Sequence, residues 1–141
     1  MKRYIRDSRS PIPKNKNVSR VMSANKAKDT LPEIQLRKEL WSHGKRGFRL
    51  HVHLAGTRPD IVFTKSKIAI FVNGCFWHRC PTCKLPYPKN NVAFWKAKFR
   101  ANKVRDLNKT KSLTGAGWTV HTIWECEIKQ NIKKATLRLK I

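Results

Sequence analysis

Acidic side chains and long apolar runs are what this 141-residue chain has least of. Asp and Glu together number 8, against 32 Lys and Arg, which gives a formal net charge of +24. With so few carboxylates, only a few positions can hold a hard metal ion through oxygen. No run of about 18 apolar residues exists, which excludes a transmembrane helix. The basic first residues lack the apolar segment of a signal peptide, so we expect a cytoplasmic protein.

The positive charge is spread along the whole chain and is not confined to a tail. Self-repulsion of this size destabilises a compact protein unless a polyanion neutralises it. The charge therefore predicts a nucleic acid as the partner. Solubility and affinity for a membrane surface are the alternatives. No basic amphipathic helix with a broad apolar face stands out, which disfavours the membrane.

The chain divides into an arm and one domain. Residues 1–28 are basic and polar with no sustained apolar period, which predicts a flexible arm that becomes ordered on a partner. Residues 29–141 are predicted to form a single α/β domain in the order α-β-β-β-α-β-α. The predicted elements are a helix over about 30–43, strands at 48–52, 60–63 and 68–72, a helix over 92–114, a strand at 118–124 and a helix over about 128–139. Because a helix connects them, the strands at 68–72 and 118–124 are predicted to be parallel neighbours.

The predicted helices carry signals for their ends and buried faces. Thr30 and Glu33 have the spacing of a capping box at the start of the first helix. Gly44 is a typical stop for that helix. Its predicted buried face consists of Leu36 and Leu40. For the helix over 92–114 the predicted buried face consists of Phe94, Ala97, Ala101, Val104 (or Arg105) and Leu107, and for the last helix of Ile128, Ile132, Ala135 and Leu139.

The cysteines follow the spacing C-x4-C-x2-C, with a fourth far downstream. They are Cys75, Cys80, Cys83 and Cys126. Four thiolates suit a tetrahedral structural zinc. Two disulfides or four buried thiols are the alternatives, and disulfides need an oxidising compartment that nothing in the sequence suggests. We predict zinc, because the C-x2-C step is typical of zinc knuckles and no cysteine is left over.

Asp60 and His78 are the candidate catalytic residues. Asp60 opens an apolar strand after a proline, so it is either a Mg2+ ligand at the mouth of the strand or a turn aspartate, and alone it favours the turn. If the strands at 60–63 and 68–72 form a hairpin, Asp60 lies where the second strand ends, close to His78. A neutral imidazole beside hydrated Mg2+ suits a general base. A zinc ligand and a phosphate-contacting or surface histidine are the alternatives.

Four further residues have a structural and a functional interpretation. Phe76 and Trp77 either wedge between DNA base pairs or cover the zinc site or the core, and the pattern favours neither. Glu33 either reaches the active site or only completes the capping box. Asp106 either belongs to the site or forms an ordinary ion pair on its helix surface.

Four short motifs together resemble the Vsr family, the very short patch repair endonucleases. They are Arg-Pro-Asp at 58–60, Gly-Cys-Phe-Trp-His at 74–78, Gly-Trp at 117–118 and Trp-Glu-Cys at 124–126. The resemblance covers about residues 20–141. It implies a restriction-endonuclease-like PD-(D/E)XK fold, with a mixed central sheet flanked by helices and a structural zinc site. As in the family, no E-x-K follows the apolar strand.

The resemblance also implies an activity and its site. Family members use Mg2+ to nick one strand of duplex DNA at a T:G mismatch, 5′ to the mismatched thymine. Asp60 corresponds to the metal-binding aspartate and His78 to the general base, while Glu33 and Asp106 correspond to acidic residues that support the site. Val72 replaces a threonine that acts through its backbone carbonyl, so it is predicted to bind Mg2+ in that way. Cutting one strand needs no symmetric dimer, which predicts a monomer.

Other positions are assigned by the same resemblance. Met22, Phe76 and Trp77 correspond to apolar side chains that enter DNA beside the mismatch. The predicted zinc ligands are Cys75, Cys80, Cys83 and Cys126. Cys80 and Asn73 each stand where the family pattern has a histidine. Two alternative functions stay open, namely a Vsr-like endonuclease of a restriction-type system without mismatch preference, and a non-catalytic zinc-containing DNA-binding protein.

Overall fold

The structure is a computed structural model that describes residues 16–17 and 28–141. The predicted arm lies almost wholly outside the described residues, and Met22 lies outside them too. In chain order the elements are α1 (Leu31–Ser42), β1 (Arg49–Leu50), β2 (Ile61–Phe63), β3 (Ile68–Asn73), α2 (Cys75–His78), α3 (Val92–Gly115), β4 (Thr119–Trp124) and α4 (Glu125–Leu137). The predicted order and the mixed α/β class are confirmed, with the four-residue α2 as an addition.

The sheet is mixed and has the order β1-β2-β3-β4. β1, β2 and β3 pair antiparallel, with Ile61 opposite Ile70. β3 and β4 pair parallel, as predicted, with Val72 opposite Ile123. The continuous apolar run of β3 is explained by its position, because a strand with neighbours on both sides and helices on both faces is buried along most of its length; only Val72 is half-buried.

Alternate side chains of β3 enter two different cores. Ile68 and Ile70 face α1 and α4, where their neighbours include Leu36, Leu40, Ile128, Ala135 and Leu139. Ala69 and Phe71 face Leu113 of α3. This period of two places α1 and α4 on one face of the sheet and α3 on the other. The predicted buried faces of the first and last helices are therefore confirmed.

The start of α1 differs from the predicted capping box. The Thr30 hydroxyl does not cap the helix; it lies 3.3 Å from Glu33 Oε1, to which it donates. Glu33 Oε2 instead accepts the N–H of Asp29 at 3.0 Å. The reciprocal box is wrong because the Glu33 carboxylate is drawn towards Asp29 and Arg37. At the other end Gly44 has φ +73° and ends the helix as predicted.

The predicted face of α3 is wrong. Ala97, Ala101, Val104 and Leu107 are exposed, and Arg105 is exposed too. The buried residues are Trp95, Phe99, Asn102 and Leu113. The two aromatic rings pack beneath α2 and set the rotation of the helix, because they bury more apolar area than the small residues of the other face.

Candidate active site and metal centre

The four cysteines converge although Cys126 is far from the others in sequence. Asn73 at the end of β3 is opposite Trp124 at the end of β4, so both strands deliver the chain to the same edge of the sheet. Cys75 then begins α2, and Cys126 lies in the first turn of α4. The Cys80 N–H donates to the Cys75 carbonyl at 3.0 Å, which folds the loop back onto α2.

The geometry of this cysteine cluster is compatible with zinc. All four sulfurs lie within 4.8 Å of one another. Cys80 Sγ and Cys126 Sγ are 3.7 Å apart, and all four residues are free thiols. Ligands at the corners of a tetrahedron with Zn–S bonds of about 2.3 Å are about 3.8 Å apart. His78 does not belong to this group of ligand atoms, so the structure does not favour its interpretation as a zinc ligand.

The pKa values of the cysteine thiols are also compatible with a bound cation. Burial raises the pKa of Cys75 and of Cys126 to about 11. Burial also opposes ionisation of Cys80, but backbone N–H groups of Cys83 and Thr82 hold the pKa of Cys80 below its ordinary value. Amides that donate to sulfur stabilise the thiolate, which is the metal-binding form. A cation at the centre would supply the charge that the buried thiols otherwise lack.

Asp60 lies at the start of β2, against the end of β3. Its N–H donates to the Ile70 carbonyl at 3.0 Å, and its Oδ2 accepts the Val72 N–H at 2.7 Å. Its side chain is 16% exposed. The aspartate does bind a backbone amide, as the turn interpretation requires, but that amide belongs to β3 and not to the turn. Asp60 is therefore held at the mouth of the hairpin.

The positive groups around the Asp60 carboxyl do not offset the effect of its burial on its pKa. Burial is the main cause that raises its pKa from 3.8 to about 6, and the Glu33 carboxylate raises it further. The Val72 N–H, His51 and Lys109 act in the opposite direction. A divalent cation would reverse this shift, because opposite charge favours the ionised carboxylate.

His78 ends α2 and contacts α3. Its Nδ1 lies 2.6 Å from Asp106 Oδ2, and both side chains are 27% exposed. Asp106 thus pairs with a histidine on another helix, and not with a neighbour on its own helix surface. With Nδ1 engaged by a carboxylate, Nε2 is the ring atom left to exchange a proton with a substrate. The Asn102 amide donates to the Trp77 carbonyl at 2.9 Å and fixes the end of α2 on the same helix.

One edge of the molecule therefore carries both candidate catalytic residues. Val72, whose N–H donates to Asp60, lies near the end of β3. His78 follows a few residues later, at the end of α2. Asp106 and Lys109 lie one helical turn apart on α3. Lys109 Nζ is 5.6 Å from the centre of the Phe71 ring, and its charge lowers the pKa of Asp60. The same face of α3 thus binds the histidine and carries a lysine whose charge acts on the aspartate.

Glu33 belongs to a largely buried polar cluster that its sequence neighbours do not predict. Its side chain is 4% exposed, and its Oε2 lies 3.2 Å from Arg37 Nη2. His51 lies between this cluster and Asp60, with Nδ1 3.8 Å from Asp60 Oδ1. In the sequence His51 is a histidine within the strand predicted at 48–52, which gives no signal of a role in the site. That position does not distinguish it from the exposed His53.

Phe76 and Trp77 are half-buried and pack together. Their ring centres are 5.2 Å apart, and Phe76 contacts Trp95 and Phe99 of α3 at 5.4 and 5.3 Å. Trp77 also contacts Trp95, at 5.5 Å, so both rings take part in covering α3. Their insertion into DNA stays a prediction.

The chain resembles several named proteins over most of its length. The model of the family "DNA mismatch endonuclease Vsr" matches residues 12–84. The chain is 40% identical over 131 residues to the type II nicking enzyme V.NaeI of Lentzea aerocolonigenes, which covers 90% of this chain and 78% of that protein. It is 42% identical over 110 residues to the type II nicking enzyme V.XorIIP of Xanthomonas oryzae pv. oryzae, covering 77% and 79%. It is 32% identical over 111 residues to DNA mismatch endonuclease Vsr of Escherichia coli, covering 79% and 70%.

These similarities define the protein as a DNA endonuclease. The chain belongs to the Vsr family, as its motifs predicted. Within the residues that the structure describes, no helix is both long and apolar enough to cross a membrane.

Proposed function

We propose that this protein nicks one strand of duplex DNA at a T:G mismatch, 5′ to the mismatched thymine. The observation that carries the proposal is the edge of the sheet where Asp60 is bound to Val72 and His78 is bound to Asp106. Such a pair of an oriented carboxylate and an oriented imidazole suits phosphodiester hydrolysis. The similarity to an E. coli protein named as a mismatch endonuclease supports the choice of substrate.

Asp60 and the Val72 carbonyl are the proposed Mg2+ ligands. The N–H and C=O of one residue in a strand point to the same side, so the Val72 carbonyl faces the edge at which its N–H meets Asp60. The raised pKa of Asp60 supports this role, because a buried carboxylate without a cation is costly. When bound, Mg2+ polarises the scissile phosphate and lowers the pKa of coordinated water.

His78 is the proposed general base. Its Nε2 takes a proton from the attacking water, while Asp106 holds Nδ1 and stabilises the imidazolium that forms. The water oxygen forms a bond to phosphorus as the bond to the 3′ oxygen breaks. That oxygen takes up a proton, so the products are a 5′-phosphate and a 3′-hydroxyl. Glu33 supports the site from α1, where its carboxylate lies 3.6 Å from the His51 ring that adjoins Asp60.

The cysteine cluster is the proposed structural zinc site. Cys75, Cys80, Cys83 and Cys126 supply four thiolates. Their binding to one ion would hold α2 between β3 and α4, and with it Phe76, Trp77 and His78. We propose that Phe76, Trp77 and Met22 contact the bases beside the mismatch, while the excess of basic residues neutralises phosphates. A single copy of the site is enough for a nick, so we propose that a monomer acts.

A second candidate function is nicking by a restriction-type system without mismatch preference. The observation that favours it is that the chain is 40% and 42% identical to two proteins named as type II nicking enzymes, against 32% to the E. coli mismatch endonuclease. Asn73, which stands where the family pattern has a histidine beside the catalytic centre, is a further difference close to the site.

A nicking assay on strand-labelled duplexes separates the two functions. Duplexes that differ only in a T:G or a T:A pair are incubated with Mg2+ and the chain. Faster nicking of the T:G duplex, with a 5′-phosphate product, is expected. Equal nicking of both duplexes would support the second function. No nicking of either, or nicking unchanged by Asp60→Asn, would contradict the proposed site.

A further inference from the structure

His51 lies between two groups of carboxylates. Its Nδ1 is 3.8 Å from Asp60 Oδ1, and its Nε2 is 3.3 Å from Asp29 Oδ1 and 3.6 Å from Glu33 Oε2. The imidazole is only 12% exposed. One ring thus lies between Asp60, the residue directly before β2, and Glu33 of α1.

The backbone of His51 is shaped for this position. Its φ of +51° lies in the left-handed region, which is uncommon for residues other than glycine and persists where the surroundings determine it. The His51 N–H donates to the Asp60 carbonyl at 3.3 Å, and Arg58 Nε donates to the His51 carbonyl at 3.3 Å. The left-handed turn ends β1 after two residues, where a longer strand was predicted. It also places the imidazole beside the carboxylate of Asp60.

The neighbouring carboxylates are neutralised by the protein itself. Asp29, Glu33 and His51 offer ligand atoms within 4.8 Å of one another, as a metal site would. Arg37 Nη2, however, lies 2.6 Å from Asp29 Oδ1 and 3.2 Å from both Glu33 Oε2 and His51 Nε2. A guanidinium is always charged, so it occupies the place that a metal cation would take. The Arg37 guanidinium and then His51 also hold the pKa of Asp29 below its ordinary value.

We propose that His51 is a positioning residue for Asp60. Asp60 Oδ2 is fixed by the Val72 N–H, and the His51 ring closes the space beside Oδ1. The carboxylate therefore keeps one orientation, and the Arg37 cluster in turn keeps the imidazole in place. The inference rests on the proposed role of Asp60 in holding Mg2+. Substitution of a residue that orients a metal ligand typically lowers metal affinity or activity by about 10- to 100-fold.

The test compares substitutions that separate side chain from backbone. His51→Gly removes the imidazole and keeps the left-handed backbone without strain. His51→Asn also accepts that backbone, and its amide nitrogen takes the place of Nδ1 beside Asp60. His53→Gly is the matched control, because His53 is an exposed histidine two residues along the same loop. Mn2+, which prefers oxygen ligands as Mg2+ does, is titrated into the full chain and followed by electron paramagnetic resonance.

We expect His51→Gly to weaken Mn2+ binding about tenfold, and His51→Asn to restore most of the wild-type affinity. His53→Gly should bind Mn2+ as wild type does. In nicking assays the Mg2+ concentration for half-maximal rate should rise about tenfold for His51→Gly, with a smaller change in the rate at saturating Mg2+. If His51→Gly cannot be purified folded, His51→Ala is compared with His51→Asn at a temperature where both are folded, because alanine is strained in the left-handed backbone.

The outcomes separate this inference from the proposed function. If Asp60→Asn loses Mn2+ binding while His51→Gly binds as wild type, the positioning role is wrong and the proposed function stands. If His51→Asn is as weak as His51→Gly, the contact through Nδ1 is not what positions Asp60. If Asp60→Asn itself binds Mn2+ and nicks DNA normally, both the function assigned to Asp60 and the role of His51 are wrong.

Discussion

Replacing Asp60 with asparagine should stabilise the Mg2+-free protein at neutral pH, although it should abolish nicking. The carboxyl holds its proton more tightly when folded, because burial raises its pKa from 3.8 to about 6. The folded state therefore binds more protons than the unfolded state between these values. The contribution of Asp60 to the free energy of unfolding is therefore greatest below pH 3.8. It falls as the pH rises towards about 6 and beyond.

The magnitude follows from the same two pKa values. A tenfold change in a proton equilibrium is about 1.4 kcal/mol, so the ionised Asp60 costs about 3 kcal/mol at neutral pH. Asparagine is neutral at every pH, and its amide oxygen can still accept the Val72 N–H. Some of the gain is lost because an amide oxygen is a weaker acceptor than a carboxylate. We therefore expect Asp60→Asn to raise the free energy of unfolding by about 2 kcal/mol at pH 7.

The assay is urea unfolding without Mg2+ at pH 4 and at pH 7, with Asp106→Asn as the control. The stabilisation by Asp60→Asn should be large at pH 7 and small at pH 4. Added Mg2+ should stabilise the wild type and not the variant, because a ligand stabilises only the state that binds it. A variant that is less stable than wild type at pH 7, or equally stabilised at both pH values, would refute the electrostatic account of this site.

Three other predictions concern the remaining parts of the site. Asp106→Asn should lower the single-turnover nicking rate by about 10²-fold or more, because an amide can donate to Nδ1 and leave the proton on Nε2; zinc content should not change. Cys126→Ser should lower the zinc content from about one ion per chain and the melting temperature with it, measured by metal analysis and thermal unfolding. DNA affinity should fall with salt by about 0.9 log unit of K per log unit of salt for each phosphate neutralised, measured by fluorescence anisotropy.

Each of these predictions has an outcome that would contradict it. Asp106→Asn with a wild-type rate would mean that the carboxylate does not orient His78. Cys126→Ser with a full complement of zinc would remove Cys126 from the ligand set. DNA affinity that is insensitive to salt would mean that the large positive charge is not used for phosphate contacts.

The parts of the site set by motif spacing and strand pairing were predictable. The continuous apolar run of β3 predicted that this strand is central in the sheet. The predicted hairpin with β2 then put Asp60 at the end of β3, where the structure has it. The C-x4-C-x2-C spacing with a distant fourth cysteine predicted the cluster of thiols, because parallel strands carry both parts to one edge. In these cases the spacing of the motifs and the predicted pairing of the strands are enough to place the residues.

The parts that depend on packing between distant segments were not predictable. The buried face of α3 is set by Trp95 and Phe99, which pack against Phe76 of α2. The position of His51 depends on a positive φ and on the Arg37 guanidinium of α1, neither of which has a sequence signature. The pattern of apolar and polar residues around positions 51 and 53 does not distinguish His51 from the exposed His53.

The measurement that tests the account most directly is the single-turnover nicking rate of a T:G duplex by wild type, His78→Ala and His43→Ala. His43 is exposed at the end of α1 and serves as the control. The account predicts that His78→Ala loses about 10²-fold or more in rate, while its zinc content and DNA affinity match the wild type. His43→Ala should nick at the wild-type rate. A His78→Ala variant that nicks as fast as wild type would contradict the central claim that Asp60 and His78 form the hydrolytic site.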